Sequence, residues 1–184
     1  PGTMDHAAFG VRTLFEERLI RRFVEENKWD EIIKTAIGHH SDYCLKGITN
    51  ERELMHAQII RDADKLDNCR VKLETAIDIL MGVTAEQVGM SEITPEVMRQ
   101  FKNHKSVLLE TRKTKMDYWI SYLAYFYDIN FKATYESIRD NHYVDKIIGR
   151  IPYTNPDTGK QMEQIRNEMN LYIQNAINEN GNYR

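Results

Sequence analysis

The stretch Gln58-Ile59-Ile60-Arg61-Asp62-Ala63-Asp64-Lys65-Leu66-Asp67-Asn68 sets three aspartates into an otherwise apolar helical pattern. A carboxylate on a core-type segment is costly unless a cation or hydrogen bonds compensate it. Upstream, Ala36-Ile37-Gly38-His39-His40 closes another apolar helical run with a histidine doublet, and Asp5-His6 lies before that. Histidine from two helices and aspartate from a third are the raw material of a metal site inside a helical bundle.

Apolar residues recur at helical spacing almost everywhere outside this stretch, and four prolines and nine glycines leave few breaks. Val11, Leu14, Phe15 and Leu19 mark a first helix reaching Phe23 and Val24. Ile33, Ala36, Ile37 and His40 form one stripe of a second, with Asp30 as its cap. A third helix spans 50–67. Leu54, Met55, Ile59 and Leu66 share one side of it, and His56, Ile60, Ala63, Asp64 and Asp67 the other, which predicts burial on both sides. Leu73, Ala76, Ile77 and Leu80 continue a fourth to Gly82. Thr84 and Gln87 have capping-box spacing, and Thr94-Pro95 reads as a helix start. An aromatic helix is predicted over 113–127, shorter ones over 132–141 and 143–150, a turn-rich loop over 152–159, and a last helix through Met162, Ile165, Met169, Ile173 and Ile177. No alternating strand occurs in this pattern, so the expected fold class is all-α. The expected organisation is a motif-bearing helical half over 4–82 with a helical extension, 83–184, packed on it.

A chain of 184 residues that is 41% hydrophobic and 29% charged is long enough to bury a real core. Its net charge of −3 gives no strong nucleic-acid signal and no pull toward an anionic membrane. Cys44 and Cys69 offer neither a disulfide framework nor metal-type spacing. With no apolar run of membrane-spanning length, the expected location is the cytoplasm. Pro1-Gly2-Thr3 before Met4 reads as a cloning remnant.

His40 falls within the stripe of Ile33, Ala36 and Ile37, whereas His39 lies about 100° round the helix. Alone, an inward histidine is more often a hydrogen-bonded core residue than a ligand. Alone, Asp64 serves equally well as the partner of an Arg or Lys on a neighbouring helix. Taken together, imidazole and carboxylate from different helices favour a catalytic metal centre, with His39, Arg61, Asp62 and Asp67 as residues that orient the ligands. Neither a glycine-rich phosphate loop nor a nucleophile elbow occurs. The Trp119–Tyr127 aromatics read as core.

Three segments resemble the HD-domain metal-dependent phosphohydrolases. Asp5-His6-Ala7-Ala8-Phe9-Gly10 is similar to that family's DHAxxG element, Ala36-Ile37-Gly38-His39-His40-Ser41 to its AIxxHN element, and Ile60 to Asp67 to its RDADKLD element. The resemblance covers roughly the first 70 residues, in the family's order. It implies an HD-domain-like helical bundle with Asp64 as a metal ligand, His6 and His40 as ligands of a second ion or of substrate phosphate, and Asp64 and His40 as the catalytic pair. The cofactor it implies is a divalent metal such as Mn, Mg or Fe, and the substrate a small phosphate ester or nucleotide.

The family's earlier histidine and its adjacent His-Asp dyad are not found in this sequence. The expectation is therefore an amino-terminally incomplete HD-type hydrolase, inactive as it stands, with activity in an intact protein that supplies the dyad. The alternative is a non-catalytic helical protein derived from the same fold and used for binding or regulation. Uncovered apolar surface, with Val11, Phe15, Ile33 and Ile37 as candidates, predicts a homodimer.

Overall fold

The computed structural model describes residues 5–179, and all regular structure among them is helical. The chain divides into two compact units between Asp64 and Lys65.

In the first unit, Asp5 caps helix α1 (His6–Val11), its Oδ1 accepting from the amides of Ala7 and Ala8 at 3.1 Å each. The expected helix through Val24 is broken. A π turn over Arg12–Glu16 follows α1, Arg18 sits in the left-handed region at φ 57°, and a 3-10 turn covers Leu19–Arg22. Helix α2 (Asp30–Gly38) has Trp29 at its N-cap, while the Asp30 carboxylate pairs with Arg21 instead of capping. Asn50 caps helix α3 (Glu51–Glu74), accepting from the amides of Arg52 and Glu53 at 3.0 and 3.2 Å. Thr35 Oγ1 ties α2 to α3 by donating to Glu53 Oε2 at 2.8 Å.

Little of this unit is buried. Its buried apolar residues are Ala7, Ile20, Ala36 and Ala57, while Phe9, Phe23, Met55, Ile59 and Ile60 are exposed. Val11, Phe15, Ile33 and Ile37 are half-buried, so the uncovered apolar surface falls on other residues than those expected.

Helix α3 also departs from the two-sided burial predicted for it. Met55, Ile59, Ile60, Ala63, Asp64 and Asp67 are exposed, and the buried positions are Ala57, Arg61, Asp62, Lys65, Cys69 and Lys72. Charge goes inward because each long cation finds a partner while its aliphatic stem packs. In the second unit Lys65 Nζ pairs with Asp128 at 2.9 Å, and Lys72 Nζ lies 4.2 Å from the Tyr122 ring centroid. Arg150 finishes the helix by donating to the carbonyls of Lys72 and Thr75, two of the acceptors a helix end leaves open.

The second unit holds the hydrophobic core. Helix α4 (Ile77–Met81) stops at Gly82, whose φ of 67° suits glycine. Helix α5 (Ala85–Met90) carries the Thr84–Gln87 capping box, and α6 (Pro95–Lys102) begins with proline after Thr94. The aromatic helix α7 (Lys115–Ala124) tightens into a 3-10 turn over Tyr125–Asp128, then come α8 (Lys132–Asp140) and α9 (Tyr143–Ile148). Part of the expected 152–159 loop is the first turn of α10 (Pro156–Asn178), because Asn155 caps it and Pro156 takes the first helical position. Trp119, Phe126, Phe101, Tyr135, Met162 and Ile165 centre one continuous apolar cluster.

Gly89 marks the tightest approach in this unit. A Cβ there would lie 1.9 Å from the carbonyl oxygen of Pro152, and Asn155 donates its amide to the Gly89 carbonyl at 3.2 Å. Overpacking against backbone has no side chain to rotate away, so Gly89→Ala is expected to lower stability by about 3 kcal/mol. Urea denaturation followed by circular dichroism checks this. A loss under about 1 kcal/mol would mean that the 150–155 segment yields easily.

Candidate functional site

Two of the residues expected at a metal site meet in the first unit. His6 Nε2 and His40 Nε2 lie 2.9 Å apart although 34 positions separate them in sequence, and the rings meet edge to face. Close approach of α1 and α2 brings this about. A Cβ on Gly10 would sit 3.3 Å from Ile37 Cγ2, and one on Gly38 would sit 3.6 Å from Val11 Cγ2, so each helix offers a glycine to a β-branched residue of the other. His6 is the first residue of α1, and His40 follows directly on the residue that caps the end of α2.

The orientation of His40 is set locally. Its Nδ1 lies 2.7 Å from the carbonyl oxygen of Ile37, which only accepts, so Nδ1 carries the proton. In the neutral ring the lone pair then sits on Nε2, directed at His6. Without a ligand, His6 Nε2 must donate to it. The same spacing suits an ion. Two nitrogens each about 2.1 Å from a metal, and at right angles across it, lie about 3.0 Å apart. The nitrogen–nitrogen distance is thus compatible with two ligands held at a right angle on one ion, once both lone pairs turn from each other toward it.

Arg61 holds the segment that carries His40. It is 3% exposed, and its Nη1 lies 3.2 Å from the carbonyls of His39 and His40 and 2.5 Å from that of Asp42. His39 points elsewhere, its Nδ1 2.7 Å from Asp42 Oδ2. Asp62 is buried, whereas Asp64 is exposed. Asp67 is exposed as well, and its hydrogen bond to Arg70 holds its carboxyl below the usual range. Among the described residues, no three His, Cys, Asp or Glu side chains gather closely enough to hold a metal.

No family model, no curated protein and no solved structure matches this chain. No described helix is long and apolar enough to cross a membrane.

A small concavity in the second unit is lined by Lys65, Asn68, Cys69, Lys72, Tyr122, Tyr125 and Ile147. Burial pushes the Cys69 thiol up to about 12, which keeps it protonated and unsuited to nucleophilic chemistry. Sequence reasoning missed the mutual glycine contact and the inward lysines. Gly10 and Gly38 were visible in the motifs, but their facing one another depends on how two distant helices cross.

Proposed function

We propose that this chain is the motif-bearing part of an HD-type metal-dependent phosphohydrolase, with an HD-like arrangement of its first helices. The observation that carries the reading is the convergence of His6 and His40, one from each of two motif-like segments, with Nε2 atoms at the spacing of two ligands on one ion. In this reading His6 and His40 hold a divalent ion such as Mn, Mg or Fe through Nε2. The Ile37 carbonyl fixes the His40 ring, and Arg61 fixes the backbone beneath it. When bound, such an ion polarises phosphoryl oxygens and lowers the pKa of an attacking water. The resemblance names Asp64 as a metal ligand, although among the described residues no third such side chain gathers with His6 and His40, and the absence of a His-Asp dyad from these 184 residues leaves the hydrolytic centre short of its main metal-binding groups.

The expected result is cation binding without turnover. Addition of Mn2+ should selectively broaden the His6 and His40 ring resonances, and His40→Ala should remove the effect on His6. Phosphatase activity with Mn2+ or Mg2+ should stay at background. Rings that ignore the ion would sink the metal reading. Metal-dependent turnover that vanishes in Asp64→Ala would overturn the inactivity.

A non-catalytic binding or regulatory role is the second reading, favoured by the first unit's exposed Phe9, Phe23, Met55, Ile59 and Ile60. A protein whose histidines ignore cations would fit it better. Self-association belongs to both readings.

A further inference from the structure

Charge is unevenly spread along the chain. Its net charge is −3, yet residues 96–115 in the second unit carry six Lys or Arg against two Glu. Three of these cations serve the fold. Arg99 pairs with Glu96 at 2.7 Å, Arg112 Nη2 donates to the Val107 carbonyl at 2.9 Å, and Lys115 Nζ donates to the Met81 carbonyl at 2.8 Å. Lys102, Lys105 and Lys113 are exposed, and among the described residues no carboxylate pairs directly with them. Lys113 adds only a longer-range pull to Glu96, which Arg99 and Gln100 already bind. Between Lys105 and Lys113 stands Leu109, 65% exposed. The Gln100 side chain, itself buried, accepts from the Leu108 amide at 2.9 Å and donates to Thr111 Oγ1 at 3.1 Å, and Val107 is buried. Leu109 is thus held outward between fixed neighbours, with one of the lysines four residues before it and another four after.

We infer that the 102–113 loop docks the second unit on an anionic lipid surface, with Leu109 entering the interface and Lys102, Lys105 and Lys113 meeting headgroup phosphates. Layering selects this occupant, since anionic headgroups over an apolar interior match cations that flank one aliphatic tip. Single-stranded nucleic acid would call for an aromatic platform there, and the neighbouring Tyr118 already carries the Arg112 guanidinium 5.7 Å from its ring centroid. The acidic groups around the loop are few. Glu110, next to Leu109, is exposed and opposes docking. Glu92 is exposed beyond Thr114, Glu168 of α10 faces His104 at 3.6 Å, and Asp117 is buried beneath the amides it caps. The chain's remaining negative charge does not prevent contact, because charges farther than about 8 Å are largely screened at physiological salt. Three lysines and one leucine give weak, reversible attachment.

Co-sedimentation of the whole chain with vesicles of about 30% phosphatidylserine in phosphatidylcholine tests this. Half of the protein should be bound near about 1 mM lipid at about 0.1 M salt, and almost none on phosphatidylcholine alone. The double reversal Lys105→Glu with Lys113→Glu should weaken binding at least about tenfold, and Leu109→Ala about threefold. Glu110→Gln should tighten it about threefold, an effect that damage to the fold would not produce. Helix content by circular dichroism should be unchanged in each variant, because all four positions are exposed. No binding at about 5 mM lipid overturns the inference. So does equal binding to uncharged vesicles, or a protein indifferent to the lysine reversals. Tighter binding to a single-stranded oligonucleotide than to the vesicles, lost in the same reversals, would assign the loop to nucleic acid and overturn it as well.

Discussion

Arg61→Ala is expected to destabilise the first unit by about 4 kcal/mol and to abolish the Mn2+ effect on His40. The two N–H bonds of Arg61 Nη1 are shared among the carbonyls of His39, His40 and Asp42, all just beyond the end of α2 where no helical donor reaches them. Hydrogen bonds from a charged donor contribute more than neutral ones, and their loss leaves the half-buried His40 carbonyl to find water instead, while His39 keeps only the Asp42 amide at 3.3 Å. The unit has few large buried apolar residues to absorb the loss. Trp29 lies in the first unit and Trp119 in the second, so Trp29 fluorescence in a Trp119→Phe background follows the first unit's unfolding. Arg61→Lys should recover part of the stability, because an ammonium keeps the charge but not the fixed fork. If Arg61→Ala unfolds with an unchanged midpoint and His40 still responds to Mn2+, the guanidinium does not position the site.

Asp117→Ala should cost the second unit about 4 kcal/mol. Asp117 is 0% exposed. Its Oδ1 accepts from the Thr94 amide at 2.8 Å, and its Oδ2 from the amides of Lys113 and Thr114 at 2.9 and 3.1 Å. Thr114 Oγ1 in turn takes the Asp117 amide at 3.0 Å and donates to the Glu92 carbonyl at 2.6 Å. One carboxylate thus caps α7 and anchors the start of α6 to it. Alanine would strand three backbone donors, of which only partly exposed ones can turn to water. Asp117→Asn keeps the shape but turns an N–H toward a donor, and should lose about half as much. Urea unfolding followed at Trp119 in a Trp29→Phe background measures both. A loss below about 1 kcal/mol for alanine would show that solvent replaces the carboxylate.

Much of the second unit was legible because its rules are local. The Thr84–Gln87 capping box, the stop at Gly82, the Thr94-Pro95 start and the core stripe from Met162 to Ile177 all depend on residues within a few positions of one another. Local rules also misled. Pro152 to Gly159 is dense in turn residues, yet Asn155 and Pro156 are equally the opening of a helix, and α10 begins there. The left-handed Arg18, which ends the first helical run early, has no signal in the apolar spacing.

The sequence by itself determined an all-α chain, because its apolar residues recur at helical and not at alternating spacing, with few breakers between them. It also supplied the motif-like segments and their order. Only the tertiary structure decided which side of α3 faces inward. Periodicity scores Met55, Ile59 and Ile60 as core, but burial follows partners, and it is Arg61, Lys65 and Lys72 that find carbonyls, a carboxylate and a ring within reach. The meeting of His6 with His40 was likewise settled by the close approach of α1 and α2 at Gly10 and Gly38. Helix direction is written in near neighbours, whereas the distance between side chains on different helices depends on how closely backbones approach, which no single segment encodes.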